Sequence, residues 1–325
     1  MEKSSERKIP LSELLNFLRG KGTIAVLILM IVLSSILFGN TFLSWSNLSN
    51  VMRQISWFGI AAIGVNLCII SGGRDVSVGY TAMLTGMVFS WCITKAGMNL
   101  WLALFLSLCV GPVVGLINGF IIAKLHVRAM IATLSTGWIF CSLGLIINND
   151  ATIYIAGSTK NIELFYGISR SNLFGFLPTP FAVFLVCVFG FWIMASKTKL
   201  GRVIYAIGGD QESAAMMGVN VMKTQLITHM ICSILACIAG LFLVARTGVG
   251  DPASCSQWGF TLMATVVIGG TRMRGGLGDL RGIIVGVLIY GLLSNILSMA
   301  GLSLYWQNLI TGLVLLLAIL SQRRS

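Results

Sequence analysis

SKTKLGRVIYAIGGDQESAAMMGVNVMKT, residues 196–224, is the stretch from which the rest of the chain is read. It carries Lys197, Lys199, Arg202 and Lys223 with Asp210 and Glu212, and apolar segments of membrane-spanning length lie on both sides of it. A segment this polar cannot cross a bilayer, so it emerges on one face. Its middle, 210–217, is free of Gly and Pro and suits two helical turns. Gly208 and Gly209 precede those turns, and Gly218 follows where a helix stop is expected. An exposed short helix held between two spans is a shape that a partner grips.

Composition sets the class. Of 325 residues, 56% are apolar and 10% charged, and the mean hydropathy is +0.91. Repeated long apolar runs with few charges define an all-α polytopic membrane protein. The 37 glycines suit helices that approach closely. The formal charge of +12 fits basic cytoplasmic loops better than nucleic acid. The eight cysteines are scattered without a CxxC pair, so the spacing suggests neither a zinc site nor a disulfide framework. Residues 1–22 are too long and too charged for a signal n-region, and the apolar run after them reads as a retained first helix.

Working outward, about ten spans are expected: 23–42, 55–71, 77–94, 100–123, 129–147, 179–195, 225–245, 258–270, 282–299 and 304–320. Most approach the ~20 residues a bilayer core requires; the eighth is short and Gly-rich, as a half-helix or re-entrant piece would be. With the N-terminus inside, the outer segments hold Arg53, Lys95, Lys160, Arg170 and Arg246, leaving 17 of the 22 Lys and Arg inside. The positive-inside rule then places both termini and residues 196–224 in the cytoplasm. The expected organisation is a cytoplasmic segment 1–22, a transmembrane domain 23–320 with a cytoplasmic loop 196–224, and a tail 321–325. The longest outer loop is 148–178.

None of these ten spans contains Asp, Glu, Lys or Arg. Ion- and proton-coupled carriers keep ionisable groups at membrane depth. His229, near the cytoplasmic end of the seventh span, reads as a satisfied interfacial residue. No G-x-x-x-x-G-K-[ST] loop occurs, so ATP would bind elsewhere.

Several motifs carry two readings each. In IISGGRDVSVGYT (69–81), Gly72 and Gly73 end one span, and Asp75 precedes the start of the next at Ser77, where a carboxylate caps free N–H groups. Gly79 lies just inside that span. Gly111, Gly115 and Gly119 form one smooth helix face, with Asn118 beside them able to bond across helices or to meet a polar solute. In IATLST (131–136), Thr133, Ser135 and Thr136 line a path or bond back to helix carbonyls. In VVIGGTRMRGGLGDLRGIIVG (266–286), Gly269, Gly270, Gly275, Gly276 and Gly278 make a tight cytoplasmic crossing, and Gly282 and Gly286 form another small face. The candidate path residues are Asp75, Ser77, Asn118, Thr133, Ser135 and, in the ninth span, Asn295. No catalytic or metal-ligating set emerges.

Together these stretches resemble the permease subunit of carbohydrate-import ABC transporters, the ribose, xylose and galactose permease family, over about residues 50–320. The family's GGIDLSVG is similar to Gly72-Gly73-Arg74-Asp75-Val76-Ser77-Val78-Gly79. GLINGFIIAKL (115–125) and IATLST match its middle. GRVIYAIGGD (201–210) with Glu212, Ser213, Ala214, Ala215 and Gly218 resembles the loop that docks on the ATP-binding subunit. VVIGGTRMRGG (266–276) resembles VVIGGTSLAGG, and Tyr305-Trp306-Gln307 its last-span entry. The chain departs from the pattern at Arg74, at Arg128-Ala129 where Pro is usual, at Arg272 and Arg274, and at Gly259 and Thr261 where an acidic pair is usual.

The resemblance implies an importer permease for a monosaccharide or small polyol in the bacterial inner membrane. It implies a second permease copy, identical or a paralogue, with a periplasmic or lipid-anchored solute-binding protein outside. A separate ABC ATP-binding subunit, holding ATP and Mg, would grip the helix of Asp210, Glu212, Ser213, Ala214, Ala215 and Gly218. No cofactor and no covalent chemistry are implied for this chain. The alternative is a secondary carrier or facilitator working without an ATPase, which predicts buried ionisable residues.

Overall fold

The computed structural model describes residues 11–155 and 160–322. Residues 1–10 of the expected N-terminal segment and 323–325 of the expected tail lie outside the described residues. The chain is a bundle of helices. In order they are α1 (Leu11–Leu43), α2 (Trp45–Ile70), α3 (Val78–Thr94), α4 (Leu100–Ala123), α5 (Ala129–Ile147), α6 (Lys160–Arg170), α7 (Thr179–Lys197), α8 (Lys199–Gly209), α9 (Gln211–Met216), α10 (Val221–Thr247), α11 (Trp258–Ile268), α12 (Leu280–Met299) and α13 (Leu304–Gln322). Four two-residue strands, β1 (Ile153–Tyr154), β2 (Asn172–Leu173), β3 (Leu177–Pro178) and β4 (Val249–Gly250), pair antiparallel as β1–β4 and β2–β3.

Each of the ten expected spans coincides with a helix. Among the described residues, seven helices are long and apolar enough to cross a membrane: the Thr23–Leu43 part of α1, and α2, α4, α5, α7, α10 and α12. Val78–Thr94 is shorter at 17 residues, and α11 has only 11. At 1.5 Å per residue α11 reaches ~16 Å, about half of a ~30 Å bilayer core. A half-helix is therefore what the eighth apolar run forms.

The core sits where small residues let helices touch. α2 is buried along most of its length, from Val51 to Ile70. Gly64 of α2 lies against the Cys232 backbone of α10. The glycine face of α4 packs as expected: a Cβ on Gly111, Gly115 or Gly119 would meet Ile234, Met230 or Leu226 of α10 at 2.9, 2.5 and 2.9 Å. Any larger residue in that row would hold the helices apart. Gly282 and Gly286 do the same for α12, facing the carbonyls of Gly269 and Thr265.

Three elements depart from the sequence reading. α2 begins at Trp45, ten residues before the expected 55, because Ser44 caps it by accepting from the Asn47 N–H at 3.3 Å. The early start takes Arg53 into a spanning helix, where it is 8% exposed and donates to Ser49, to the Arg170 carbonyl and to Asn172. α8 lies outside the expected helices, since Gly208 and Gly209 read as the entry to the 210–217 helix. It forms because Thr198 caps it and because Gly201, Ile204 and Ile207 make one buried face. α6 lies inside the expected outer loop and buries Phe165, whose ring sits 4.2 Å from that of Phe89 on α3.

Candidate functional site

The loop between α2 and α3 draws four of the six expected path residues into one buried network. Asp75 Oδ1 accepts from the Ser77 N–H (2.9 Å) and from the Ser77 hydroxyl (2.6 Å). Asp75 thus closes a local turn instead of capping the helix, and Ser77, at the cap position, makes no capping bond of its own. Asn118 of α4 donates Nδ2–H to Ser77 Oγ (2.8 Å) and accepts from Thr136 Oγ1 of α5 (2.5 Å). Thr133 Oγ1 accepts from the Val76 N–H (3.1 Å). Asp75, Ser77, Asn118 and Thr133 are all 0% exposed. They join α3, α4 and α5 and open onto no surface in this conformation.

The other two lie elsewhere. Ser135 sits on the exposed face of α5 and donates back to the Ile131 carbonyl (2.9 Å). Asn295 of α12 pairs with Asn47 of α2 through two amide hydrogen bonds (2.8 and 3.2 Å). His229 is 0% exposed and only partly satisfied: its Nδ1 lies 2.8 Å from the Gln225 carbonyl, while Nε2 has no partner among the described residues. With Arg53 and Asp75 also buried, absence of buried ionisable groups no longer argues against a carrier; that decision passes to other observations.

The chain has a cleft suited to a polar solute at the N-terminal end of α11. Its volume is about 650 Å³, and α11, α12 and α13 wall it. Ser256, Gln257, Thr261, Asn308 and Thr311 supply hydroxyl and amide groups; Trp258, Phe260 and Tyr290 supply aromatic faces. Phe58 of α2 stacks on Tyr290 (4.2 Å) and meets Trp258 edge-on (5.7 Å), fixing both rings from behind. A pocket of this size with a few placed polar groups suits a small ligand. Sequence reasoning missed these residues. Thr261 stood out only as a departure from the family pattern, and Asn308 directly follows the Tyr305-Trp306-Gln307 signal.

The expected coupling helix is α9. Asp210 caps it, accepting from the Ser213 N–H at 2.6 Å, and Gly218 ends it at φ 80°. Those backbone and side-chain bonds from Ser213 hold the Asp210 carboxyl below its ordinary value. Glu212, Ser213 and Ala215 are exposed, while Ala214 is turned into the chain and wholly buried. Met216 and Met217 are 88% and 72% exposed at the tip.

Behind α9, the end of α8 meets the end of α2 and the turn after α11 backbone to backbone. A Cβ on Gly208 would overlap the Ile70 carbonyl and lie 2.5 Å from the Gly276 nitrogen. Gly275 (φ 88°) touches Gly72, and the Gly276 N–H donates to the Ile70 carbonyl (2.9 Å). Tyr205 of α8 donates to the Gly278 carbonyl (2.7 Å), and burial, then Asp279, raises its phenol pKa. Arg74 donates to the Met273 carbonyl (2.9 Å), and Thr271 to Asn66 of α2 (2.6 Å). The unusual Arg74 thus ties the α2–α3 loop to the α11–α12 turn. Of the other expected glycines, Gly73 packs under His229, Gly79 under the Cys255 carbonyl and Gly269 against Gly282, while Gly270 adopts φ 95° in open space.

Long apolar helices, a polar cleft beside a short helix and an exposed helix mounted on the bundle are the parts of an all-α polytopic membrane protein. Known proteins agree. The family described as branched-chain amino acid transport system / permease component matches residues 47–319. The chain is 35% identical over 302 residues to the ribose import permease protein RbsC of Escherichia coli K12, covering 92% of each chain. It is 31% identical to the L-arabinose transport system permease protein AraH of the same strain, over 92% of this chain and 89% of that one. It is also 31% identical to the fructose import permease protein FruG of Bifidobacterium longum, with the same coverage. No solved structure matches. The chain belongs to the permease family of ABC importers.

Proposed function

We propose that this chain forms, with a second permease copy, the path by which an ATP-driven importer moves a monosaccharide or related small polyol across the bacterial inner membrane. Identity to a ribose import permease along 92% of both chains carries the reading. The cleft supports it chemically: amide and hydroxyl groups exchange hydrogen bonds with solute hydroxyls, and aromatic faces cover the C–H side of a sugar ring. Ten membrane crossings with both termini cytoplasmic fit the charge distribution; α11 and its following turn then serve as the eighth.

A solute-binding protein would deliver the solute from outside, and ATP and Mg would sit on a separate subunit. That subunit grips α9 through Glu212, Met216 and Met217; Ala214, facing inward, seats α9 on its own chain. Movement of α9 reaches the bundle through Gly208, Gly275 and Gly276. Asp75, Ser77, Asn118 and Thr133 hold α3, α4 and α5 in register beside the path and meet solute only when those helices part.

The test is a pull-down of the detergent-solubilised chain from its native membrane. An ATP-binding protein co-purifies with the wild-type chain, and Met216→Asp or Met217→Asp loses it while inserting normally. If the chain purifies alone and moves solute into liposomes without ATP, the secondary-carrier reading replaces this one.

A further inference from the structure

Folding brings together three groups far apart in the sequence. Cys68 lies near the end of α2, Asp75 in the loop after it and Cys232 on α10. Their two sulfurs and one carboxylate oxygen lie within 4.8 Å of one another, and all three residues are buried. We propose that this trio is a binding site for a thiophilic divalent cation of the zinc class. The proposal does not depend on which solute the permease carries.

Buried thiols alone are ordinary core filler. Two further groups make this cluster different. Asp75 Oδ1 is held by Ser77, but Oδ2 is buried with no hydrogen-bond partner among the described residues. An ionised carboxylate left so is costly, and a cation beside it removes the cost. The second is His229, outside the close trio but three residues before Cys232 and therefore on the same side of α10. The Gln225 carbonyl can only accept, so Nδ1 of the neutral ring carries the proton and Nε2 the lone pair. That Nε2 is buried and unpartnered among the described residues. Gly73, two residues before Asp75, leaves room for the ring: a Cβ there would stand 3.1 Å from its Cε1.

Two sulfurs and a carboxylate oxygen are donor types that zinc takes, and three protein ligands leave a fourth position open. Ser77 already orients the carboxylate, as an outer-shell partner does. The thiols release their two protons to solvent as the cation enters, leaving two thiolates and one carboxylate around it. Bound metal clamps α2, the α2–α3 loop and α10 to one another. The absence of a CxxC pair had argued against zinc because spacing is read along one segment, and these donors come from separate helices.

The full chain, purified in detergent and stripped with EDTA, is titrated with Zn²⁺ against a chromophoric chelator. It is also titrated with Cd²⁺ while thiolate-to-cadmium charge-transfer absorption is followed. One equivalent per chain is expected. Cys68→Ser and Cys232→Ser each abolish the cadmium band and weaken binding at least tenfold, on the order of the loss seen when a metal site is impaired. X-ray absorption on the cadmium-loaded wild-type chain needs no variant and should count two sulfur neighbours. Failure of the monodisperse wild-type chain to take up metal overturns the proposal. So does uptake that survives in the double cysteine variant, or a coordination shell of oxygen and nitrogen alone.

Discussion

At the scale of single residues, Asn118 shows how a side chain with two readings acquires one. The sequence places it beside a glycine face, equally able to bond across helices or to meet a solute. In the structure both ends of its amide are used, Nδ2 by Ser77 and Oδ1 by Thr136. Asn118→Leu keeps the branched outline, though it is bulkier, and strips a partner from Ser77, while Thr136 can fall back on the Ala132 carbonyl at 3.0 Å. The expected loss is about 1–3 kcal/mol, the cost of a buried polar group left short of a bond. Thermal unfolding in detergent measures it, with transport assayed below the melting point. Unchanged stability with lost transport would move Asn118 from the scaffold to the solute. Asp75 was legible as important, but its bonding was not: a carboxylate two residues before a helix reads as a cap, and only the fold shows it turned onto Ser77 with one oxygen spare.

At the scale of elements, glycine periodicity was the most legible signal. Gly111, Gly115 and Gly119 were placed on one face, and each meets α10 a turn apart. Boundaries set by caps were less legible. Ser44 started α2 early because a single hydrogen bond outweighs a polar stretch, and α8 escaped notice because its glycines mark close approach to other loops instead of a break. α9 was read correctly to within a residue, since cap, helix and stop all agree. Its cap carries a pH dependence with a definite sign. The folded Asp210 carboxyl titrates below its unfolded value, so its stabilisation is complete above the unfolded value and fades as pH falls through the folded one. Amide hydrogen exchange at Ser213, corrected for intrinsic rate, should show protection at neutral pH that disappears at the acid end of the carboxylate range. Asp210→Asn, which can still accept the bond, should flatten that profile; a profile unchanged by the substitution would remove Asp210 as its cause.

At the scale of the whole molecule, the order of apolar runs conveyed a polytopic bundle, and ordered motifs conveyed the family. The cleft was not legible, because its walls come from α11, α12 and α13, and no local pattern records their meeting. The junction of Gly208, Gly275 and Gly276 was likewise invisible as a unit, although each glycine was noticed. Gly208→Ala tests it. A methyl group there collides with the Ile70 carbonyl, so α8 must shift while the exposed face of α9 stays intact. Transport by the reconstituted complex should fall at least tenfold while the ATP-binding subunit still co-purifies. Transport at the wild-type rate would show that the junction carries no motion between α9 and the bundle. The half-length of α11 has a consequence of a different kind. In the proposed permease an 11-residue helix covers about half of the bilayer core, so a water-filled cleft at its N-terminal end would thin the insulating layer there. The membrane voltage would then fall across the remaining half, and the local electric field there would be roughly doubled. Insulation there would rest on close packing such as that of Gly269 on Gly282 at the other end of α11, so loosening that contact would cost ion-tightness even with no solute in transit.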